Sequence, residues 1–261
     1  MSTPSTKFST EDIVKLYESE AKKHGAEGTS TIQDIRTRNL EMRAIFSYVR
    51  DGMNVLEIGC GNGYVAEALA REFAVTLDAS DFSVDLIKIA EARNLAGTRG
   101  QVRFFQESVL DLDRPARYDL VYTERCIQNL TTWDAQKEGL RRIVASLKPG
   151  GEYIMLESFW TGLNNLNAAR SEVGLPAIPE SWHNRFFDET ETKQHMKSIG
   201  CELVEQNCFL SGYYFGSRVL LPAISPKDKK VSSASILNDF FCGLPASGDF
   251  SPMKILRFRR S

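Results

Sequence analysis

The chain holds only three histidines and five cysteines in 261 residues, and no two cysteines form a C-x-x-C pair. The cysteines stand at 60, 126, 201, 208 and 242, away from any zinc-ligand spacing with a histidine. That excludes a sequence-encoded metal centre, and their odd number and scatter point to reduced, buried thiols rather than a disulfide framework. Apolar runs are short: none reaches the eighteen residues of a membrane span. The opening "MSTPSTKFSTED" lacks the basic segment and apolar core of a secretory leader. A cytoplasmic protein without membrane contact is the expectation. A net charge of -2 gives no basic footprint, so no nucleic-acid partner is expected either.

What is present is alternation. Residues 1–8 are polar and read as a frayed end. Ser9 or Thr10 can cap a first helix carrying Ile13, Leu16 and Tyr17 on one face, and a second helical pattern runs from Asp34 to Tyr48. From Asn54 strands and helices alternate: "NVLEI", "AVTLDAS", "VRFFQ", "YDLVYT" and "EYIMLES" read as strands. Between the last two, "DAQKEGLRRIVASL" places Leu140, Ile143, Val144 and Leu147 on one helical face, and "KPGG" stops it. Such alternation predicts an α/β fold with right-handed crossovers and a mostly parallel, doubly wound sheet. Two stretches break the pattern. Residues 159–187 have no clean period, and 211–248 are irregular with a short helix near Ser232–Phe241. The strands "CELVEQNCF" and "PMKILRFRR" complete a seven-stranded sheet, the last antiparallel. A single domain follows: a helical cap over 1–50, a core over 51–158, and two insertions on the ligand side.

The turn "EIGCGNG" carries the chemistry. A strand, a glycine turn and a helix together bring backbone N–H groups close to a ligand. The dinucleotide fingerprint G-x-G-x-x-G needs a glycine at 64, where this chain has Tyr64. Glu57, two residues ahead of the first glycine, would repel a pyrophosphate and suits an ammonium or sulfonium group. With Glu57, Gly59, Gly61 and Gly63 in this order, the chain resembles the class I S-adenosylmethionine-dependent methyltransferases of the small-molecule type, whose first motif is E/D-x-G-x-G-x-G. "DFS", "FFQESVLDL", "YDLVYTERCIQNL" and "LKPGGEYIMLE" follow in that family's register, over about residues 38–158.

The resemblance implies a Rossmann-like sheet and S-adenosyl-L-methionine as cofactor. It implies that Asp81, with Asp78 as competitor, holds the ribose hydroxyls. Phe82 would pack on adenine, and Ser108 and Val109 stand at the base-contacting positions, where the family more often has an acid. Thr123 falls in the fourth-strand segment, and Arg38 and Arg125 are candidates for the cofactor carboxylate or an acidic substrate. The D/N-P-P-Y/F motif of enzymes acting on DNA base amines is missing.

On the substrate side, the first insertion brings together Trp160, Arg170, Trp182, His183 and Arg185, either as a small aromatic core or as a lid. His183 is the candidate base, and Tyr213 and Tyr214 open the second insertion. The expected function is in-line methyl transfer to an oxygen or nitrogen of a small polar or anionic, sugar-like metabolite, by a monomer or homodimer. A non-catalytic S-adenosylmethionine-binding protein is the alternative. An NAD-dependent oxidoreductase is disfavoured by Glu57 and Tyr64.

Overall fold

The computed structural model describes residues 9–30, 32, 34–226 and 235–261. Residues 1–8 and the middle of the second insertion, where part of the helix expected near Ser232–Phe241 falls, lie outside them. Seven strands form one sheet: β1 (Asn54–Ile58), β2 (Thr76–Asp81), β3 (Gln101–Gln106), β4 (Tyr118–Glu124), β5 (Leu147–Ser158), β6 (Cys201–Asn207) and β7 (Met253–Arg260). Their order is β3-β2-β1-β4-β5-β7-β6, parallel except for β7, which runs antiparallel to both neighbours. This is the Rossmann-like, doubly wound α/β architecture that the alternation predicted.

Each central strand is buried on both faces, as a parallel sheet requires. In β1, Val55 packs in a cluster with Val65 and Leu69, while Leu56 and Ile58 join a second cluster with Leu140 and Ile143. Helices α3 (Tyr64–Glu72) and α4 (Val84–Glu91) follow β1 and β2, and α5 (Trp133–Ser146) leads into β5. The "KPGG" stop falls within the range of β5 as an irregularity beside Tyr118, with Gly150 at φ 77.

The cap forms as α1 (Thr10–His24) and α2 (Ile35–Phe46). Ser9 caps α1 in a reciprocal capping box with Asp12.

The first insertion is more regular than its sequence suggests: Trp160–Glu172 is helix α6. Its packing face is made by Gly162, Leu163, Leu166 and Arg170, and a Cβ on Gly162 would overlap the Ser251 carbonyl. A contact made through a missing side chain leaves no apolar period to read. Helix α7 (Glu189–Ser198) precedes β6. The second insertion begins with α8 (Ser211–Phe215), a π-helical turn (Gly216–Leu220) and α9 (Leu221–Ile224) in succession, and α10 (Ile236–Cys242) follows.

Gly63 caps α3 at φ 76, and a Cβ there would stand 2.9 Å from Ala90 Cβ and from the Phe104 ring. Its function is to seat α3 against α4 and β3. Gly63→Ala combines a left-handed backbone, about 1–2 kcal/mol, with overpacking of about 1–3 kcal/mol. We expect a loss of roughly 2–5 kcal/mol in urea unfolding of the ligand-free chain.

Candidate active site

The parallel register brings the carboxyl ends of β1 and β2 side by side, with Ile58 opposite Ser80. There the chain turns through Gly59 at φ 81 and Gly61 at φ 54. The Gly59 and Cys60 N–H groups both donate to Ser80 O, at 2.7 and 2.9 Å, and the Gly61 N–H donates to Asp81 Oδ2 at 2.9 Å. At the start of α3 the Gly63 N–H goes to Cys60 O, and the Tyr64 N–H to Asn62 Oδ1 at 3.2 Å. These N–H groups, the ones that would cradle a phosphate, are therefore already paired. Gly59 also lies against the loop after β4, since a Cβ would sit 2.6 Å from Cys126 Sγ, whereas a Cβ on Gly61 would meet nothing within 4 Å.

Above the turn is a cavity of about 460 Å³, within the usual range for small-molecule sites. It is lined by Glu57, Gly59, Gly61, Asp81, Phe82, Ser108, Val109, Arg38, Arg125 and His183 among the residues singled out from the sequence. Asp81 also accepts from the Ser83 N–H at 2.9 Å; burial pushes its pKa up to about 6 against these two backbone bonds. Its competitor Asp78 faces elsewhere, bound by Tyr118 Oη at 2.7 Å and by Arg103. Glu57 is buried, and Oε2 has no hydrogen-bond partner among the described residues. Burial first, then the charge of Glu124, pushes its pKa up to about 8.

Several sequence candidates lie outside the cavity lining. Strand alternation puts Thr123 on the opposite face of β4, where its hydroxyl meets Tyr153 Oη at 2.8 Å; the β4 residue that does line the cavity is Glu124. Gly63 packs rather than lines. Trp160 pairs with Phe186 at 5.2 Å between ring centroids, and Trp182 is 56% exposed. Arg170 binds the carbonyls of Pro176 and Arg218, tying α6 to the second insertion. Arg185 donates to Gln136 Oε1 at 2.7 Å, and Tyr213 Oη donates to Asp34 at 2.8 Å. Tyr214 stacks under the Arg218 guanidinium, 4.3 Å from the ring centroid. Apart from the exposed Trp182, the aromatic and basic insertion residues are thus packing and bracing groups, and of that segment Ser181, His183 and Asn184 reach the cavity.

His183 is half-buried, its Nδ1 has no partner among the described residues, and burial lowers its pKa below the ordinary histidine value. It is therefore neutral at pH 7. Arg125, at φ 56, holds Glu41 through Nε at 3.1 Å and Nη2 at 2.6 Å. Burial alone would lower the Arg125 pKa, and the Glu41 charge more than reverses it.

Sequence reasoning missed Tyr17, Glu107, Glu124 and Asn129 as cavity residues. Glu107 Oε1 accepts from Arg114 Nη2 at 3.1 Å and its Oε2 is buried without a partner among the described residues, while the neighbouring Ser108 hydroxyl is engaged by the Leu110 N–H at 3.2 Å. Alternation along β4 could have found Glu124, two residues after Tyr122. Tyr17 is contributed by α1, and nothing in its own helix shows which part of the sheet it covers.

Residues 55–151 match the family model described as "Methyltransferase domain". Over those residues the chain is similar to methyltransferases, in keeping with the resemblance carried by its glycine turn. Among curated relatives, the uncharacterized methyltransferase YdaC of Bacillus subtilis is 37% identical over 103 residues, which is 39% of this chain and 54% of that one. A ubiquinone biosynthesis O-methyltransferase of Leptothrix cholodnii is 29% identical over 59% of this chain and 66% of its own. The chain thus spans between about half and just under two thirds of these two relatives. In fold, the magnesium protoporphyrin IX methyltransferase of Synechocystis with bound SAH superposes with a TM-score of 0.61 at 16% identity, over 96% of this chain and all of that one.

The raised Glu57 pKa has a consequence for the ligand-free protein. A carboxyl whose pKa is about 8 folded and 4.5 unfolded stabilises the fold at low pH, and that contribution is lost as pH rises from about 4.5 through 8. We expect Glu57→Gln to raise the melting temperature at pH 8.5 and leave it nearly unchanged at pH 4. An equal shift at both values would remove Glu57 as the cause.

Proposed function

We propose that this chain binds S-adenosylmethionine above the glycine turn and transfers its methyl group to an oxygen of a small molecule. The pairing of the turn's N–H groups carries this reading. With those donors taken by Ser80 O and Asp81, and with the carboxyl groups of Glu57 and Asp81 beside the turn, the cavity favours cations and hydrogen-bond donors over a diphosphate. That also disfavours a nicotinamide dinucleotide.

The residues fit the cofactor. Asp81 keeps lone pairs for the ribose hydroxyls, and Phe82, braced edge-on by Tyr17 at 5.6 Å, offers a face to adenine. Ser108 and Val109 flank the base, and Glu107, held through Oε1 by Arg114 at 3.1 Å, stands beside them toward its amino group, which the family more often gives to an acid at the Ser108 position. Gly59 and Gly61 admit the methionyl end, Glu57 receives its ammonium group, and Arg38, paired with Glu124 at 2.8 Å, stands toward its carboxylate. When bound, S-adenosylmethionine supplies a methyl carbon already activated by a sulfonium sulfur. The protein's part is to align the acceptor and take up its proton, and His183, which lines the cavity, is the candidate for the second task. The names of two relatives support oxygen as the acceptor atom: the ubiquinone biosynthesis O-methyltransferase and a malonyl-acyl-carrier-protein O-methyltransferase of Ilyobacter polytropus. The anionic or sugar-like acceptor expected from the sequence rested on Trp160, Arg170, Trp182 and Arg185, which do not line the cavity.

Asp81→Asn keeps an acceptor for the Gly61 N–H and removes the charge. It should weaken S-adenosylhomocysteine binding tenfold or more, about 1.4 kcal/mol, in calorimetric titration. Unchanged affinity would refute the ribose role. His183→Ala should leave that affinity within about twofold and lower turnover by about 10²–10⁴. Because a cationic ligand prefers ionised Glu57, S-adenosylmethionine affinity should rise as pH increases toward about 8 and then level off. A flat profile in titrations from pH 6 to 9 would move the ammonium contact elsewhere.

A further inference from the structure

The wall of the cavity supplied by α1 is attached differently from the others. Ile13, Val14 and Tyr17 line the cavity, yet no residue of α1 belongs to either hydrophobic cluster that holds the sheet and its helices together. Helix α3, nine residues long, buries Val65, Ala66, Leu69 and Ala70. Helix α1, fifteen residues long, buries Ile13 and Ala21 among its described side chains.

Among the described residues, one hydrogen bond joins a side chain of α1 to a distant part of the chain: Tyr17 Oη accepts from Asn129 Nδ2 at 2.7 Å. Its direction is fixed, because Asn129 Nδ2 also donates to the Arg125 carbonyl at 2.9 Å, which can only accept. The Tyr17 ring stands edge-on to Phe82, with centroids 5.6 Å apart. Phe82 follows β2 and Asn129 lies in the loop after β4, so the two contacts fasten α1 to two walls of the same cavity.

The C-terminal end of α1 is held in another way. The chain leaves the helix through Gly25 at φ 51 and ψ -127, a conformation that favours glycine. The carbonyls beyond the helix are then pinned to the glycine turn and α4 side: Asn62 Nδ2 donates to Gly25 O and Glu27 O, and Arg93 Nη2 to Ala26 O. A helix fastened at one end, packed outside the core clusters and tied across by one side-chain bond can open locally while the sheet stays intact.

Resting on the cofactor reading above, we propose that α1 is a gate over bound S-adenosylmethionine, hinged at Gly25 and latched by the Tyr17–Asn129 bond. The cofactor enters and leaves while α1 is lifted, and the connection to α2 stays fixed on the glycine turn. Since the latch is made whether or not the site is filled, weakening it raises the open fraction of both states by the same factor.

Two measurements on the full chain test this. Tyr17→Phe keeps the ring on Phe82 and removes the hydroxyl. In surface plasmon resonance with S-adenosylhomocysteine it should raise the association and dissociation rates together, each about fivefold, and leave Kd within about twofold. A rise in dissociation alone would make Tyr17 a direct ligand contact and overturn the gate; unchanged rates overturn it as well, whatever happens to the melting temperature. The second measurement is hydrogen exchange without ligand. The α1 amides of the native chain should exchange faster than those of β1 and β4 by about tenfold or more, and Tyr17→Phe should speed α1 about fivefold with β1 and β4 unmoved. Protection of α1 equal to that of β1 overturns the gate without touching the cofactor reading. A native chain that binds no S-adenosylhomocysteine overturns that reading, and this inference with it.

Discussion

One carbonyl oxygen organises the site. Ser80 O, at the end of β2, accepts the N–H groups of both Gly59 and Cys60, and the next N–H, from Gly61, is taken by Asp81 of the same strand end. The turn is thereby welded to its neighbouring strand, and its shape is fixed by the register of β1 on β2 rather than by a ligand. Gly59 and Gly61 make their bonds at φ 81 and 54, a backbone conformation that favours glycine, which is why they stand where they do. The same pairing consumes the donors on which a phosphate would depend. A motif that resembles a nucleotide-phosphate turn in its spacing is therefore, in its hydrogen bonding, something else.

Two charge systems are arranged around that turn. Glu157, at the far end of β5, accepts from the N–H groups of Cys126, Ile127 and Gln128, and burial pushes its pKa up to about 7. It holds the loop after β4 in the conformation that carries Arg125 at φ 56 and lets Cys126 close on Gly59. The second system is the sequence of ion pairs from α2: Arg38 to Glu124 and Glu41 to Arg125. Each ties a cap residue to the end of β4. Desolvated pairs of this kind contribute little net stability, but removing either partner leaves a buried charge. They fix the cap over the cavity more than they strengthen the fold, and they set the polarity that any ligand meets.

The alternation of strands and helices was legible because a parallel sheet buried on both faces demands apolar runs, and the crossover helices demand a period of 3.6. The glycine turn was legible because its constraints are local: positive φ at Gly59 and Gly61, and a carboxylate two residues earlier. The insertions were not. Trp160, Trp182, Arg170 and Arg185 looked like a binding surface because large aromatic and basic side chains serve packing and recognition equally well. The carbonyls of Pro176 and Arg218 that occupy Arg170 could not be seen from its neighbours in sequence. Thr123 failed for a simpler reason: the face of β4 alternates, and Glu124 next to it reaches the cavity.

The connection between α1 and α2 shows how the cap and the turn act as one body. Asn62, inside the glycine turn, donates through Nδ2 to the carbonyls of Gly25 and Glu27 at 2.8 and 3.0 Å, and Arg93 bridges Asn62 O and Ala26 O. Gly28 lies so close to the Tyr64 ring that a Cβ would stand 2.6 Å from it. Tyr64 is the residue that replaces the third glycine of a dinucleotide turn. Where such a turn uses a missing side chain to bring its helix onto the sheet, this chain moves that task one residue earlier, to Gly63, and uses the aromatic ring to seat the cap. The sequence difference that separates the two nucleotide classes is thus also the contact that closes the cavity from above.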